Sequence, residues 1–444
     1  MSTADIKPGS NGAFDAHHPP AREIIDKCVH CGFCLPVCPT YVLWGEEMDS
    51  PRGRIYLMKR AHDGAASINE EWVKHFDACL GCVACMTACP SGVDYGKLIE
   101  ATRAQIERRY RRPAIQRFLK TRMLRTLTHP ELLSVLLWPV KLYQRSGLQT
   151  MARKTGLLDL LPQQMKAAEA LLPPLPDNSA VPEVIPAQGL KRLRVGMLAG
   201  CVQRVFFPQV NAATARLLSA EGCEVVTPRD QACCGALLVH SGEEAGALEM
   251  ARRTIDVFER AAVDAVVINA AGCGSSLKEY GHLLRDDPQY AERARTFSAK
   301  CRDVAELLVE LGPRAKRQPL ALRVAYHDSC HLQHAQGIRT QPRALLSQVP
   351  DLKILELPEA AVCCGSAGIY NLVQPEAAGD LGDRKARFIS EAKPDLVVTG
   401  NPGCLLQLRS ALARSGATIP VVHTVQLLEA SVAGAPVTSL LAQG

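Results

Sequence analysis

The chain has 444 residues, more than one compact core usually occupies, so two or three domains are expected. A hydrophobic fraction of 47% and a charged fraction of 22% are those of a globular protein. The net charge of +6 comes without a basic stripe interleaved with aromatics, which argues against a nucleic-acid partner.

Eighteen cysteines are the outlier. An oxidising compartment would turn them into disulfides, but disulfide scaffolds are usually short and secreted. The opening MSTADIKPGSNG has no basic segment followed by an apolar one, so export is not expected. No apolar run reaches the roughly 20 residues that span a bilayer. A cytoplasmic location and metal or redox chemistry are the expectations.

In chain order, residues 1–20 are polar, with Pro and Gly, and read as a flexible tail. Residues 21–100 hold eight cysteines in two groups joined by a helical stretch. Residues 101–170 read as a basic helical connector, and 171–190 (LLPPLPDNSAVPEVIPAQGL) as a proline-rich linker. From 191 the pattern changes. LRVGMLAGC (193–201), DAVVINAAGC (264–273), LRVAYHDSC (322–330) and LVVTGNPGC (396–404) each look like a buried strand ending in a turn. Helical stretches at 243–260 and 376–392 lie between them. Such alternation predicts an α/β arrangement with parallel strands, and ligands beyond their carboxyl ends, where these cysteines fall.

Two repeats organise the cysteines. Cys28, Cys31, Cys34 and Cys38 recur 51 residues later as Cys79, Cys82, Cys85 and Cys89. Both copies read C-x2-C-x2-C-x3-C-P. Three closely spaced thiolates wrap one face of a cubane, and the fourth, before proline, leaves the loop and is expected to start a helix. In two-cluster ferredoxins that fourth cysteine ligates the other cluster. Cluster one is therefore expected on Cys28, Cys31, Cys34 and Cys89, and cluster two on Cys79, Cys82, Cys85 and Cys38, both [4Fe–4S]. Zinc sites pair one C-x2-C with a distant second pair, which is not this pattern.

The second repeat is longer. Cys201, Cys233–Cys234–Gly235 and Cys273 recur as Cys330, Cys363–Cys364–Gly365 and Cys404, at offsets of 129, 130 and 131 residues. A drifting offset is what a duplicated domain with small insertions produces. The expected fold is thus α+β and α-rich. A helical two-cluster ferredoxin-like domain precedes two duplicated α/β domains, 191–318 and 319–444.

Three further stretches have two readings each. Arg52, Arg54, Lys59 and Arg60 in SPRGRIYLMKR (50–60) either offset cluster charge or form a solvated basic helix. His327, Asp328, Cys330 and His331 in YHDSCH either shuttle protons near a metal or quinone, or are polar strand-end residues bonded to backbone. The second is the commoner situation for histidine. Residues 107–148 either pack as a helical hairpin on the α/β domains or lie on an anionic membrane surface, packing being the more frequent fate. Gly272 and Gly274 lack the third glycine of a nucleotide fingerprint.

The paired C-x(31–32)-CCG-x(37–38)-C units resemble the CCG domain of heterodisulfide reductase subunits and their relatives. CVHCGFCLPVCPTY (28–41), SPRGRIYLMK (50–59), CLGCVACMTACPSGVDYG (79–96), CCGSAGIYN (363–371) and NPGCLLQL (401–408) are most similar to the family of glycolate oxidase iron–sulfur subunits. That resemblance implies an electron-transfer subunit of a flavin-dependent 2-hydroxy-acid dehydrogenase complex. It implies flavin-binding dehydrogenase subunits as partners, a quinone or membrane acceptor, and a place on the inner face of the cell membrane. No substrate-oxidising site on this chain is expected. Related complexes oxidise lactate or glycerol 3-phosphate, and heterodisulfide reductases use CCG domains catalytically. Some CCG domains hold a further, non-cubane iron–sulfur centre on C…CC…C-x-x-C. Here Cys273 and Cys404 lack the second cysteine of C-x-x-C. Additional metal on Cys201, Cys233, Cys234 and Cys273, or on Cys330, Cys363, Cys364 and Cys404, is left open, with buried structural thiols as the alternative.

Overall fold

In the computed structural model, which describes residues 13–176 and 181–442, the four apolar runs form neighbouring central strands, two in each of two largely parallel sheets. The first half contains β1 (Val184–Ile185), β2 (Leu193–Met197), β3 (Cys223–Val226), β4 (Ala265–Ile268) and β5 (Cys301–Asp303). They order as β1-β3-β2-β4-β5, all parallel except β1, which pairs antiparallel with β3. The second half contains β6 (Leu322–His327), β7 (Leu352–Leu355), β8 (Leu396–Thr399) and β9 (Val421–His423), ordered β7-β6-β8-β9 and all parallel. Apart from β1 the topology repeats strand for strand. Val195, Val267, Val324 and Val398 are fully buried, because helices cover both faces of a parallel sheet.

In each half the chain leaves the first inner strand on one side and returns on the other. The carboxyl ends of β2 and β4, and of β6 and β8, therefore flank a topological switch point. Three segments reach it, carrying Cys201, the Cys233–Cys234 pair and Cys273 in one half, and Cys330, the Cys363–Cys364 pair and Cys404 in the other; Cys273 and Cys404 lie in the first turns of the helices Ala271–Lys278 and Pro402–Arg414. The halves share one apolar core that runs from Val195 and Leu217 to Leu322 and Val425. Across their seam Arg216 pairs with Glu429 at 2.6 Å, and Ala271 N–H donates to Gly400 O at 3.3 Å.

The described residues of the N-terminal region form helices joined by loops, with no strand. The helices are Arg22–Ile25, Pro39–Trp44, Pro51–His62, Glu70–Asp77, Ala84–Thr87 and Tyr95–Arg109, with one short turn at Glu47–Asp49. SPRGR starts the third of these by local rules. Ser50 Oγ accepts from Gly53 N–H at 3.0 Å, Pro51 takes the first helical position, and Gly53 lies so close to the Glu47 carbonyl that a Cβ would collide with it.

Of the expected tail, residues 1–12 lie outside the described residues. Residues 13–20 pack instead of trailing: Phe14 is buried edge-on against Trp72, and the Asp15 carboxylate takes bonds from Gln105 and Arg108. Burying one aromatic ring outweighs the entropy that polar, Pro-containing sequence suggests. The proline-rich stretch likewise contributes β1 to the first sheet.

Between the two regions run Ala114–Thr128, Pro130–Leu136, Trp138–Arg145, Leu148–Lys154 and Gln163–Ala170. Leu124 packs on Leu238 and Ala247, and Leu133 enters the shared core. Ile115, Phe118, Leu119, Val135, Trp138 and Leu160 stay exposed. Among the described residues no helix is long and apolar enough to cross a membrane.

Candidate metal centres

The two short-repeat loops share a backbone. Left-handed residues stand at His30 and Gly32 in the first copy and at Gly81 and Val83, 51 residues on, in the second. Val83, with φ of 52°, is a β-branched residue where glycine is usual, so surrounding structure holds it there. These reversals gather three thiols in each loop, buried in the second copy and part-exposed in the first, where Cys31 is exposed.

Cys28, Cys31, Cys34 and Cys89 line one cleft, which Cys85 of the second loop also reaches, walled by Ile55, Val93 and Tyr95. Cys38, Cys79, Cys82 and Cys85 are buried, and the thiols that bear on Cys85 are Cys82, Cys79 and Cys38 before Cys34. Each fourth cysteine thus faces the other loop. The local cause differs between copies. Cys38 precedes Pro39, which opens Pro39–Trp44. Pro90 opens no helix, contrary to expectation: a turn follows, and Tyr95–Arg109 starts only at Asp94, whose Oδ1 accepts from Lys97 N–H at 3.3 Å.

Burial pushes the Cys34 thiol up to about 11 and those of Cys82 and Cys85 well above the usual range. Such thiols ionise when a bound cation compensates, which is what a thiolate-ligated metal provides. Cys79 behaves differently: burial would raise it, but Arg54 and Arg103 outweigh that and hold it below the usual range. Arg54 is 1% exposed. It donates to His75 O at 2.6 Å and Asp49 O at 2.5 Å, and pairs with Asp49 Oδ1 at 3.1 Å. Arg52 donates to His30 O at 2.9 Å in the first loop, whereas Lys59 pairs with Asp26 at 3.3 Å on the exposed side and Arg60 is exposed. Both readings of 50–60 apply, to different residues. Two sets of four sulfurs with apolar walls and a buried guanidinium fit two [4Fe–4S] clusters.

In the α/β halves each CCG turn runs through a left-handed glycine, Gly235 (φ 78°) or Gly365 (φ 94°). A Cβ at Gly365 would strike the Ala378 carbonyl. The turn presents both thiols to the switch point. Cys233 Sγ is 3.3 Å from Cys201 Sγ, and Cys234 reaches Cys233 and Cys273. Cys330 Sγ is 3.9 Å from Cys363 Sγ, and Cys364 reaches Cys363 and Cys404. Cys223 and Cys301 stand apart as packing thiols in β3 and β5, the first pushed by burial up to about 11.

The YHDSCH residues are not the backbone-bonded set favoured from sequence. His327 lies against Cys364 and Cys404. Asp328 takes a bidentate pair from Arg343, at 2.8 and 2.7 Å. His331 Nε2 is 3.2 Å from His240 Nε2, and burial pushes its ring down to about 3. His334 was not singled out from sequence; its Nδ1 is 2.6 Å from Thr87 Oγ1. No motif marks that contact, which joins residues 247 apart. The second half also abuts the ferredoxin-like region, where Leu80, Cys82 and Ala84 pack with Val362, Cys363 and Tyr370.

The fold and these sites define a two-cluster ferredoxin domain joined to a duplicated cysteine-rich module. The 4Fe-4S dicluster domain matches residues 24–93, the linker region of the glycolate oxidase iron-sulfur subunit matches 115–172, and the cysteine-rich CCG domain matches 195–278 and 324–409. The chain is 42% identical over 412 residues to a probable glycolate oxidase iron-sulfur subunit of Bacillus subtilis, covering 90% of this chain and 92% of that one. It is 36% identical over 421 residues to the glycolate oxidase iron-sulfur subunit of Escherichia coli, covering 92% and 94%. Lactate utilization protein A of Halalkalibacterium halodurans is 32% identical over 237 residues, 53% of this chain and 96% of that one. The chain belongs to the family of glycolate oxidase iron–sulfur subunits.

Proposed function

We propose that this chain is the electron-transfer subunit of a 2-hydroxy-acid dehydrogenase complex that oxidises glycolate to glyoxylate. Flavin-binding partner subunits carry the substrate chemistry, and a quinone-type acceptor at the inner face of the cell membrane receives the electrons. The observation that carries this is the pair of four-sulfur sites built from C-x2-C-x2-C-x3-C-P. When bound there, [4Fe–4S] clusters supply one-electron transfer, the step between a two-electron flavin and an acceptor.

The chain's own residues do the positioning. Cys28, Cys31, Cys34 and Cys89 hold one cluster, and Cys79, Cys82, Cys85 and Cys38 the other. Ile55 and Val93 wall the first site, which stays open to solvent at Cys31, and Leu80 and Val362 cover the second. Arg54 and Arg103 place positive charge beside Cys79, which favours the reduced, more negative state. Exposed Phe118, Leu119, Trp138 and Leu142, on a segment with nine Lys/Arg against three Asp/Glu between residues 114 and 170, suit a surface that a partner subunit covers.

The test is co-purification of the native chain with its partners, followed by glycolate-dependent dye reduction. The complex is expected to be active, the chain alone inactive, and the complex with Cys79→Ser inactive. Glycolate oxidation by the isolated chain would overturn the assignment.

A further inference from the structure

Among the described residues, two groups of three His, Cys, Asp or Glu ligand atoms lie within 4.8 Å of one another. One, His327, Cys364 and Cys404, belongs to the cysteine sites described above. The other is His17, His18 and Glu244, far from any thiol of those sites in sequence and unused by the electron-transfer chemistry. It lies where three parts of the chain meet. His17 and His18 follow Phe14 and Asp15 in the N-terminal segment that packs on the ferredoxin-like region. Glu244 opens the helix Glu244–Arg260 of the first α/β half. Arg108, near the end of the helix Tyr95–Arg109, stands beside both. The seam is tight: a Cβ at Gly242 would strike the Arg103 carbonyl.

We infer that His17, His18 and Glu244 bind one divalent metal ion, zinc or a first-row neighbour, which pins the N-terminal segment to the first α/β half. His17 Nε2 and His18 Nδ1 each lie 3.3 Å from a Glu244 carboxylate oxygen. That is long for a hydrogen bond. It matches the roughly 3.3 Å edge between donors that each sit about 2.0–2.1 Å from a tetrahedral ion.

Further contacts prepare the donors. His18 Nε2 is 2.7 Å from Asp286 Oδ2, which leaves Nδ1 to face Glu244. A carboxylate on the far nitrogen of a ligating imidazole fixes its tautomer and raises its basicity. Arg108 Nη1 donates to Glu244 Oε2 at 2.9 Å and leaves Oε1 for the ion. Arg108 is itself held by Asp15 Oδ2 at 2.8 Å and His17 O at 2.6 Å. His18 has a φ of 47° directly before Pro19, where extended backbone is the rule, so its neighbours hold it there. That turn sets the two imidazoles side by side, with ring centres 4.2 Å apart. Two imidazoles and one carboxylate suit zinc and its neighbours, whereas calcium and magnesium take oxygen donors. Three protein donors leave a fourth position for water, on the side where His17 is exposed.

The test uses the full-length chain with both clusters in place, treated anaerobically with zinc chloride and desalted. One zinc per chain is expected, with nitrogen and oxygen donors at about 2.0–2.1 Å and no sulfur in its X-ray absorption spectrum. His18→Ala and Glu244→Ala should each lose it with iron content unchanged. Asp286→Ala, which removes no ligand, should weaken binding about 10- to 100-fold. Zinc should slow amide exchange of residues 13–20 in the native chain and not in His18→Ala. A native chain that retains no zinc, zinc on sulfur, or zinc kept by His18→Ala would each overturn the inference. So would an affinity unmoved by Asp286→Ala, the mark of adventitious surface binding, or zinc bound without slower exchange.

Discussion

In the ferredoxin-like region each loop turns its fourth cysteine toward the other loop: Cys89 lines the cleft of Cys28, Cys31 and Cys34, and Cys38 bears on Cys82 and Cys85. In the CCG halves each set of four stays at home, Cys201 to Cys273 in one and Cys330 to Cys404 in the other. The difference follows from what surrounds the sulfurs. A loop of eleven residues from first to last cysteine encloses only one side of a cluster, so two loops must close around each other. A parallel sheet gathers loops and helix starts at one switch point, so a half can assemble its own set. An exchange of fourth cysteines would tie the two loops into one folding unit, whereas in the CCG halves each half carries its own set of four.

Breaking the exchange should have the largest effect. Cys38→Ser is expected to remove the cluster held by Cys79, Cys82 and Cys85 and spare the one held by Cys28, Cys31 and Cys34. Cys89→Ser should do the reverse. Both should abolish glycolate-dependent activity of the complex. Iron content and the two resolved paramagnetic signals read which cluster is lost. If Cys38→Ser instead extinguished the signal of the first loop's cluster, each loop would own its fourth cysteine.

Arg54 is the next point of attack. It links Thr40, Asp49 and His75 around Cys38 and Cys79. Arg54→Met leaves Asp49 with only His75, 3.1 Å away, as a side-chain partner and should destabilise the region by about 2–3 kcal/mol. Anaerobic urea unfolding checks this, and a midpoint equal to that of the native chain would mean the guanidinium only fills space. A finer comparison sets Cys363→Ser against Cys233→Ser. Cys363 packs with Cys82 and Cys233 does not, so only the former should shift the signal of cluster two.

Much of this arrangement was legible in the sequence because spacing carries it. The eight N-terminal cysteines, the duplicated halves and the four inner strands all follow from periodicity and offsets. What spacing does not carry was missed. β3, β5, β7 and β9 are as short as β4 and β8, but none runs into the cysteine-bearing turn that marked the other strands. Phe14 gave no sign of packing because its partner Trp72 is distant in sequence. The ferredoxin rule anticipated that Cys89 would lie with the first loop's cysteines, but not the absence of a helix at Pro90. His327 stood in view in YHDSCH, yet its meaning needed Cys364 and Cys404 beside it.

The smallest effect tests the duplication where no cysteine is involved. Asp303 and His423 end the equivalent strands β5 and β9, and each caps the helix that follows. Asp303 Oδ1 accepts from Ala305 N–H at 2.8 Å, and His423 Nδ1 from Val425 N–H at 3.2 Å. Both line one small cavity between the halves. Burial pushes Asp303 from 3.8 up to about 7, with Lys278 opposing and Glu306 adding to the shift. It pushes His423 from 6.5 down to about 4. Between these values the folded state holds an extra proton on Asp303, so that group's contribution falls as pH rises from about 4 to 7. The unfolded state holds the extra proton on His423, so its contribution falls as pH drops from 6.5 toward 4. The two slopes oppose each other and should nearly cancel across that window. Asp303→Asn should leave stability rising with pH from 4 to 6.5, and His423→Gln should leave it falling, each by at most about 1.4 kcal/mol per pH unit. Thermal midpoints in buffers spanning pH 4 to 7 measure both. Parallel slopes in the two variants would show that the pair is not balanced across the seam.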